Sequence, residues 1–287
     1  MNQLNLFLEL TRLKKPIGYM LLFWPCAWGL TLAFNFTENL SIYFLYLLLF
    51  FLGSVLMRSA GCIVNDILDR KFDKKVFRTK NRPIASGKVS IKLALIYSAL
   101  LCLLAFLVLI NFNYFTIFLA LASMPLAFTY PLMKRYTYWP QLFLGITFNY
   151  GLILGWTSVN TNILFIPIIF YLGAIFWTLG YDTIYGYQDI KDDEIIGLKS
   201  TSIKFKSNPY IFLKICYTIF FITLIIIGFV MNLNKFYFLF LLLIFFQIFI
   251  FQIKQLNISI SKSCLRAFKS NNFLGLLIFM GIFLGKI

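Results

Sequence analysis

Long apolar runs separated by short polar connections fill the whole chain. Each run of about 20 residues would cross a ~30 Å hydrocarbon core as a helix. Because the runs are continuous rather than alternating, they favour helices over a membrane barrel. The pattern predicts an all-α, polytopic membrane helical bundle of about nine transmembrane helices that forms a single domain over residues 1–287. The expected spans are 17–35, 42–64, 91–111, 113–131, 139–159, 163–186, 209–231, 234–253 and 271–286.

The first fifteen residues, MNQLNLFLELTRLKK, mix polar and apolar positions. No small-residue cleavage site follows the first apolar run, and the segment lacks the Arg- and Ser-rich composition of a mitochondrial transit peptide. We therefore expect an interfacial helix here. The same reasoning favours a bacterial inner (plasma) membrane as the location.

Basic residues concentrate in every second connection. The connection after the second span has nine Lys and Arg between Arg70 and Lys92, whereas the neighbouring connections NFTENLS and NFN have none. By the positive-inside rule, the N-terminus and the two longest polar connections, 65–90 and 187–207, face the cytoplasm. We expect these two connections to form an active-site cap on that side of the bundle, and the C-terminus to lie outside.

The composition agrees with a membrane protein and excludes several classes of catalytic and metal site. The chain is 61% hydrophobic, with a mean hydropathy of +0.85. Its net charge of +16 does not indicate a nucleic-acid partner, because the basic residues lie in short connections where membrane lipids are the expected contacts. The absence of histidine excludes Ser-His-Asp and Cys-His catalysis and any His-ligated metal site. The five cysteines form no CxxC pair, which is typical of small buried apolar residues.

Every aspartate lies in one of two clusters, each at the end of a predicted span. The first cluster is spaced i, i+4, i+8 and the second i, i+7, i+11, so each predicts one stripe on a helix that continues from its span. The residues are Asn65, Asp69 and Asp73, and then Asp182, Asp189 and Asp193. Tyr185 is expected on the same side as the second stripe.

Two acidic stripes that face each other would repel unless a cation holds them together. Without histidine or paired cysteine, the available ligands are hard oxygen atoms, which suit Mg²⁺. Mg²⁺ takes one or two carboxylates per ion and completes its shell with water and substrate phosphate. The clusters therefore predict a site for a metal-bound phosphate ester.

Basic side chains near these acids would suit the phosphate itself. Arg78 and Arg82 follow Asp73 by five and nine residues, and arginine can hold phosphate bidentately. Lys134 lies in a connection on the same membrane face. Arg58 lies about two helical turns before the first cluster, inside span two, where a charge is expected to face a polar cavity.

Simpler interpretations of the same residues stay open. Asp69 could pair with Lys74 in a solvated loop, and Arg58 could be a structural residue near the membrane interface. A solvated loop does not by itself explain why two clusters in equivalent positions contain all the aspartates.

The pseudo-equivalent motifs 65–87 and 182–201 resemble the two signatures of the UbiA superfamily of intramembrane prenyltransferases. NDILDRKFDKKVFRTKNRPIASG is similar to N-D-x-x-D-x-x-x-D, and DTIYGYQDIKDDEIIGLKST is similar to D-x-x-x-x-x-x-D-x-x-D-D followed by G-x-K-S-T. RLKKPIGYMLLFWPCAWGL and YPLMKRYTYWPQLFLGITFNYG resemble the 4-hydroxybenzoate polyprenyltransferase branch. Lys14 and the pair Gly186 and Tyr187 depart from the usual pattern, and neither departure changes the carboxylate spacing.

The resemblance implies Mg²⁺-dependent transfer of a polyprenyl group from polyprenyl diphosphate to 4-hydroxybenzoate, an early step of ubiquinone biosynthesis. It implies that the Mg²⁺–diphosphate is held by Asn65, Asp69, Asp73, Asp189 and Asp193. It implies that the diphosphate is also contacted by Arg78, Arg82, Tyr130 and Lys134. Asp182 and Arg58 fall on the acceptor side.

The chemistry of such a transfer assigns further tasks. Departure of diphosphate leaves an allylic cation, which Tyr150 or Tyr185 would stabilise by cation–π contact. The ring carbon ortho to the acceptor hydroxyl then attacks, and Asp182 would accept the proton that this carbon loses. The prenyl tail would run between the spans into the bilayer.

Alternatives remain within the family and outside it. Haem, naphthoate, homogentisate or a sugar phosphate could replace 4-hydroxybenzoate as the acceptor. A cation-coupled transporter or channel is an alternative of another class, although transporter sites lie near the midplane and these acids lie at helix ends. A non-catalytic membrane scaffold is a further alternative.

Overall fold

The computed structural model describes residues 3–37 and 39–287, a part of the chain in which no strand occurs. The helices are α1 Gln3–Leu10, α2 Ile17–Ala33, α3 Leu40–Leu68, α4 Arg70–Asp73, α5 Ile91–Leu109, α6 Tyr114–Thr129, α7 Pro140–Thr157, α8 Phe165–Gly186, α9 Ile190–Ile196, α10 Thr201–Lys204, α11 Pro209–Val230, α12 Lys235–Phe245 and α13 Ser261–Lys286. A 3₁₀ helix, Tyr130–Arg135, follows α6, and a π-helix, Phe246–Lys254, continues α12. The predicted all-α class is confirmed.

A helix lies at each position where a span is predicted. Within the described residues, seven of these nine helical segments are long and apolar enough to cross a membrane. The other two are α2, a shorter apolar helix, and α7, so the predicted count of nine spans stays a prediction. The last predicted span, 271–286, was too short, because α13 already begins at Ser261. Its first turns carry Lys, Arg and Ser, which lower the hydropathy without breaking a helix.

Asparagine and serine in the connections start several of these helices. Asn39, Ser90, Asn113 and Asn234 each accept a hydrogen bond from a backbone N–H in the first turn of the following helix. Such a cap satisfies one of the amide groups that a helix N-terminus leaves without a partner. The short polar connections therefore determine where the neighbouring helices begin.

The core of the bundle is built around α2, which packs against α3, α7 and α13. Trp28 of α2 is fully buried and lies against Phe170 and Trp177 of α8. The indole N–H of Trp28 donates to the backbone oxygen of Gly275, and that of Trp177 donates to Asn271. Each buried indole thus has a partner for its polar atom, which its burial requires.

Glycines allow α2 and α7 to approach at backbone distance. A Cβ atom at Gly29 would collide with the backbone oxygen of Leu152, and one at Gly155 would collide with the backbone oxygen of Cys26. Without water to drive association in a bilayer, close packing of this kind holds helices together.

The N-terminal segment forms the expected helix, and that helix packs on the bundle. Leu6 and Leu10 of α1 are buried against Ala60 and Ile63 of α3. Phe7 lies edge-on to the ring of Tyr97 in α5, with ring centroids 5.2 Å apart. The N-terminal segment is therefore held on the same end of α3 as the first acidic motif.

We predict that Gly29→Ala destabilises the protein by about 1–3 kcal/mol, because the added methyl group forces α2 and α7 apart. Gly53→Ala is the matched control, since the nearest atom to its added Cβ is a Val108 methyl at 3.9 Å. Thermal unfolding of both variants in one detergent is the measurement. An equal melting temperature for Gly29→Ala and the parent chain would contradict the packing described here.

Candidate functional site

The two acidic motifs share one backbone plan. In each, a long helix ends, one aspartate stands at the break, and a second aspartate lies on a short helix that follows. Asp69 stands between α3 and α4 with φ −91° and ψ 2°, and Asp189 precedes α9 with φ −115° and ψ 5°. The motifs are therefore equivalent in local geometry as well as in sequence.

The prediction that each acidic stripe continues the helix of its span was wrong. The helix α3 ends at Leu68 and α8 ends at Gly186. The spacing within each short helix still holds, because the N–H of Asp73 donates to the backbone oxygen of Asp69 at 2.8 Å. The equivalent bond joins Asp193 to Asp189 at 2.9 Å. Each motif therefore keeps its two aspartates one helical turn apart, after the break and not along the helix of the span.

Asp69 is 1% exposed and is held by cations from another segment. Lys134 of the 3₁₀ helix donates to its Oδ2 atom. Arg135 lies 3.6 Å from its Oδ1 atom and donates to the backbone oxygen of Leu68 at 2.7 Å. The alternative pairing with Lys74 is wrong, because the chain places the 3₁₀ helix, and not the loop lysine, beside this carboxylate.

Asp73 and Asp66 share one arginine. The Nη1 atom of Arg82 donates to Asp73 at 2.9 and 3.1 Å and to Asp66 at 3.1 Å. Asp66 is 2% exposed and accepts a second hydrogen bond from Arg12 at 2.5 Å. This part of the site therefore joins the first motif to the N-terminal segment.

Arg78 joins the first motif to the second. Its Nε and Nη2 atoms donate to the carboxylate of Asp189, and its Nη1 atom donates to the hydroxyl of Tyr185 at 3.1 Å. The guanidinium also lies over the Tyr185 ring, 5.5 Å from the centroid. The two motifs, more than a hundred residues apart in the chain, thus meet at a bidentate pair.

A polar pocket of about 170 Å³ lies where the motifs converge. Residues of both motifs line it, including Lys199 of the second motif, together with Lys134 of the 3₁₀ helix. Its polar lining includes Asn65, Tyr130, Lys134, Gln141, Asp182, Asp193 and Lys199. Burial, and then the neighbouring Asp189 carboxylate, raise the pKa of Asp193 to about 6. A cation or a bound metal in this pocket would relieve that repulsion.

An apolar cavity of about 210 Å³ adjoins the polar pocket. Tyr130 lines both spaces, so it marks their boundary. Arg58 and Tyr150 line the apolar cavity, with the Arg58 guanidinium 5.4 Å from the centroid of the Phe148 ring. The Nε atom of Arg58 is buried and, within the described residues, has no hydrogen-bond partner. A charged head group and a long apolar tail would find different surroundings on either side of Tyr130.

Among the predicted site residues, the polar pocket is lined by Asn65, Tyr130, Lys134, Asp182 and Asp193, and the apolar cavity by Arg58, Tyr130 and Tyr150. Asp69, Asp73, Asp189, Arg78 and Arg82 line neither space and are held in ion pairs beside them. Tyr150 lies in the apolar cavity, whereas Tyr185 lies beside Arg78 and lines neither space. Three basic residues join the site that the sequence patterns did not single out: Arg12, Arg135 and Lys199. Arg135 directly follows Lys134, and Lys199 lies in the G-x-K-S-T motif. Both could therefore have been identified as site candidates from their neighbours in the sequence. Arg12 had none beyond its place in a basic segment.

The side chains of the site fit a magnesium–diphosphate group in their chemistry. The donors are carboxylates and an asparagine amide, which are oxygen ligands of the hard kind. The Oδ1 atom of Asp69 is buried without a hydrogen-bond partner in the described chain, so it retains acceptor capacity. No group of three or more acidic or cysteine side chains in residues 3–37 and 39–287 is close enough to hold a metal alone. Mg²⁺ needs fewer, because phosphate oxygens and water complete its shell.

Comparison with protein families agrees with this geometry. The sequence profile of the UbiA prenyltransferase family matches residues 22–279. The mitochondrial 4-hydroxybenzoate polyprenyltransferase of Rattus norvegicus is 42% identical over 284 residues, which cover 98% of this chain and 75% of the relative. The 4-hydroxybenzoate octaprenyltransferase of Psychromonas ingrahamii is 39% identical over 279 residues, which cover 97% of this chain and 96% of the relative.

The fold has counterparts among solved structures. A UbiA homologue from Archaeoglobus fulgidus, solved bound to DMAPP and Mg²⁺, superposes with a TM-score of 0.72. The superposition covers 96% of this chain and 97% of the homologue, at 18% sequence identity. The superposition covers nearly the whole chain, so the helical architecture is shared.

Proposed function

Because the chain belongs to the UbiA prenyltransferase family, we propose that it transfers a polyprenyl group from polyprenyl diphosphate to 4-hydroxybenzoate and releases diphosphate. One observation carries the proposal: residues of both acidic motifs, together with Lys134, line a polar pocket that adjoins an apolar cavity. Relatives named for this reaction at about 40% identity support the choice of acceptor. The product would enter ubiquinone biosynthesis.

We assign the donor head group to the polar pocket and its neighbouring ion pairs. The proposed holders of the Mg²⁺–diphosphate are Asn65, Asp69, Asp73, Asp189 and Asp193. The proposed direct contacts to diphosphate are Arg78, Arg82, Tyr130 and Lys134. When bound, Mg²⁺ would neutralise the charge that builds up on the leaving diphosphate. The arginines and the lysine add to that neutralisation from fixed positions, which is the electrostatic form of catalysis.

The proposed reaction breaks the bond between the prenyl C1 atom and its diphosphate oxygen, and the electron pair leaves with diphosphate. A new carbon–carbon bond forms between C1 and the acceptor carbon ortho to the hydroxyl. That carbon then loses its proton. Asp182 is the proposed acceptor of this proton, because it lines the polar pocket and has no ion-pair partner within residues 3–37 and 39–287.

The prenyl tail would occupy the apolar cavity. Arg58 lines this cavity with a buried nitrogen atom that has no hydrogen-bond partner in the described chain, so we assign it to the acceptor side. Tyr150 lines the same cavity and is the better placed of the two predicted tyrosines to face an allylic cation. Tyr185 would instead hold Arg78 in position.

The first test is an assay of the chain in isolated membranes. With Mg²⁺, 4-hydroxybenzoate and a series of prenyl diphosphates of increasing length, we expect prenylated 4-hydroxybenzoate and diphosphate in equal amounts. Mass spectrometry of the lipid extract identifies the product. Prenylation of 1,4-dihydroxy-2-naphthoate but not of 4-hydroxybenzoate would overturn the proposed acceptor and leave the family assignment intact. Ion flux in liposomes without any prenyl transfer would favour a transporter.

The second test removes single carboxylates. We expect Asp69→Ala, Asp73→Ala, Asp189→Ala and Asp193→Ala each to lower transfer by at least about 100-fold while the protein still inserts, since each removes a proposed ligand of the Mg²⁺–diphosphate. Glu194→Ala is the matched control, because this carboxylate lies on α9 and pairs with Lys206 at the surface. Full activity in EDTA, or in two of the four variants, would contradict the metal assignment.

We further propose that the chain lies in a bacterial plasma membrane as one unit over residues 1–287, with the N-terminus and both acidic motifs in the cytoplasm. The alternation of basic connections supports this orientation. A cysteine introduced at Ser86 should react with a membrane-impermeant maleimide in inside-out vesicles and not in intact cells, in a chain freed of its own cysteines. Labelling in intact cells would contradict the proposed orientation and place this connection outside the cell.

A further inference from the structure

The N-terminal segment contributes a side chain to the first acidic motif, although it contains no part of either motif. Arg12 follows α1 and has a left-handed backbone, with φ 55°. Such a conformation is uncommon for residues other than glycine and is kept where the surroundings enforce it. Here the buried Leu6 and Leu10 fix the helix before the turn, and the turn brings the guanidinium to Asp66.

Asp66 is the centre of this contact. Its Oδ1 atom accepts hydrogen bonds from Arg12 at 2.5 Å and from Arg82 at 3.1 Å. The carboxylate is 2% exposed, so it depends on these cations for its charge. Because Arg12 and Arg82 both donate to the Oδ1 atom of Asp66, this carboxylate is neutralised while it occupies only the Nη1 atom of Arg82.

Arg82 therefore keeps most of its capacity for a ligand. Its Nη1 atom serves both Asp66 and Asp73. Within the part of the chain that the structure describes, no acceptor takes a hydrogen bond from its Nε or Nη2 atom. Those two nitrogens are the fork that would grip a diphosphate oxygen pair.

We propose that Arg12 is a positioning residue, which through Asp66 holds Arg82 against Asp73 and thereby sets the affinity for the prenyl diphosphate. The inference rests on the proposed function, since it concerns the donor of that reaction. Without Arg12, the buried Asp66 carboxylate would have Arg82 as its remaining partner and would draw the guanidinium toward itself. The fork would then move away from Asp73 and from the donor. Arg12 itself need not touch the substrate.

The test uses the full chain in nanodiscs with two readouts. One is the KM of each substrate, and the other is the Kd of geranyl thiolodiphosphate, a donor analogue that is not transferred, measured by calorimetry with Mg²⁺. Arg12→Gly removes the guanidinium and suits the left-handed backbone, so it tests the side chain rather than the turn. Lys14→Ala is the matched control, because it removes an exposed positive charge two residues away.

We expect Arg12→Gly to raise the donor KM and the analogue Kd by about 10- to 100-fold, the usual effect of losing a residue that orients a ligand-holding group. The acceptor KM should not change. Arg12→Lys should recover part of the affinity, since it restores the charge without the fork. In the Arg82→Ala background, Arg12→Gly should add almost nothing, because residues that act through one another are not additive.

Asp66→Asn provides an independent variant of similar shape, which removes the charge that would draw Arg82 away from Asp73. In the Asp66→Asn background, Arg12→Gly should therefore add almost nothing to the analogue Kd. An unchanged analogue Kd in Arg12→Gly, or an equal rise from Arg12→Gly with and without Asp66→Asn, would overturn the positioning role alone, provided that the parent chain binds normally. An equal rise in both KM values would also overturn it, because general damage to the fold acts on both substrates. Failure of the parent chain to bind the analogue or to transfer a prenyl group would instead overturn the proposed function, and the positioning role with it.

Discussion

Burial of aspartate carboxylates at the ends of apolar helices is the constraint around which this site is arranged. Asp66 and Asp69 are each no more than 2% exposed, at the boundary between a helical bundle and its polar connections. An anion so placed is stable only where cations or hydrogen-bond donors stand beside it. Each of these two carboxylates accordingly has two basic partners within 4 Å.

The partners come from distant parts of the chain, so the charges tie the fold together. Lys134 and Arg135 approach Asp69 from the 3₁₀ helix after α6, and Arg78 reaches Asp189 across the two motifs. Ion pairs of this kind do not necessarily add net stability, because desolvation offsets much of the attraction. Their effect is geometric: they fix which faces of the helix ends point toward the polar pocket.

The adjoining cavity completes the division of polarity that a prenyl diphosphate requires. A prenyl diphosphate combines a multiply charged head group with an apolar tail, and few single environments accommodate both. Tyr130 lines the polar pocket on one side and the apolar cavity on the other. With a hydroxyl group on an aromatic ring, tyrosine suits such a boundary. Close contact of α2 and α7 through Gly29 and Gly155 packs the bundle tightly next to this cavity.

The sequence by itself determined the helical class, the approximate position of the long apolar helices and the two acidic motifs, because hydropathy and residue spacing act over short stretches of chain. It did not determine that α3 and α8 break before Asp69 and Asp189, since a polar helix end and a turn have similar composition. Nor did it assign partners: Lys74 is close to Asp69 in sequence, yet Lys134 binds it. Arg12 reaches Asp66 across 54 positions. Only the tertiary structure decides such pairings, because a buried charge is satisfied by whichever cation the packing of other helices brings within reach.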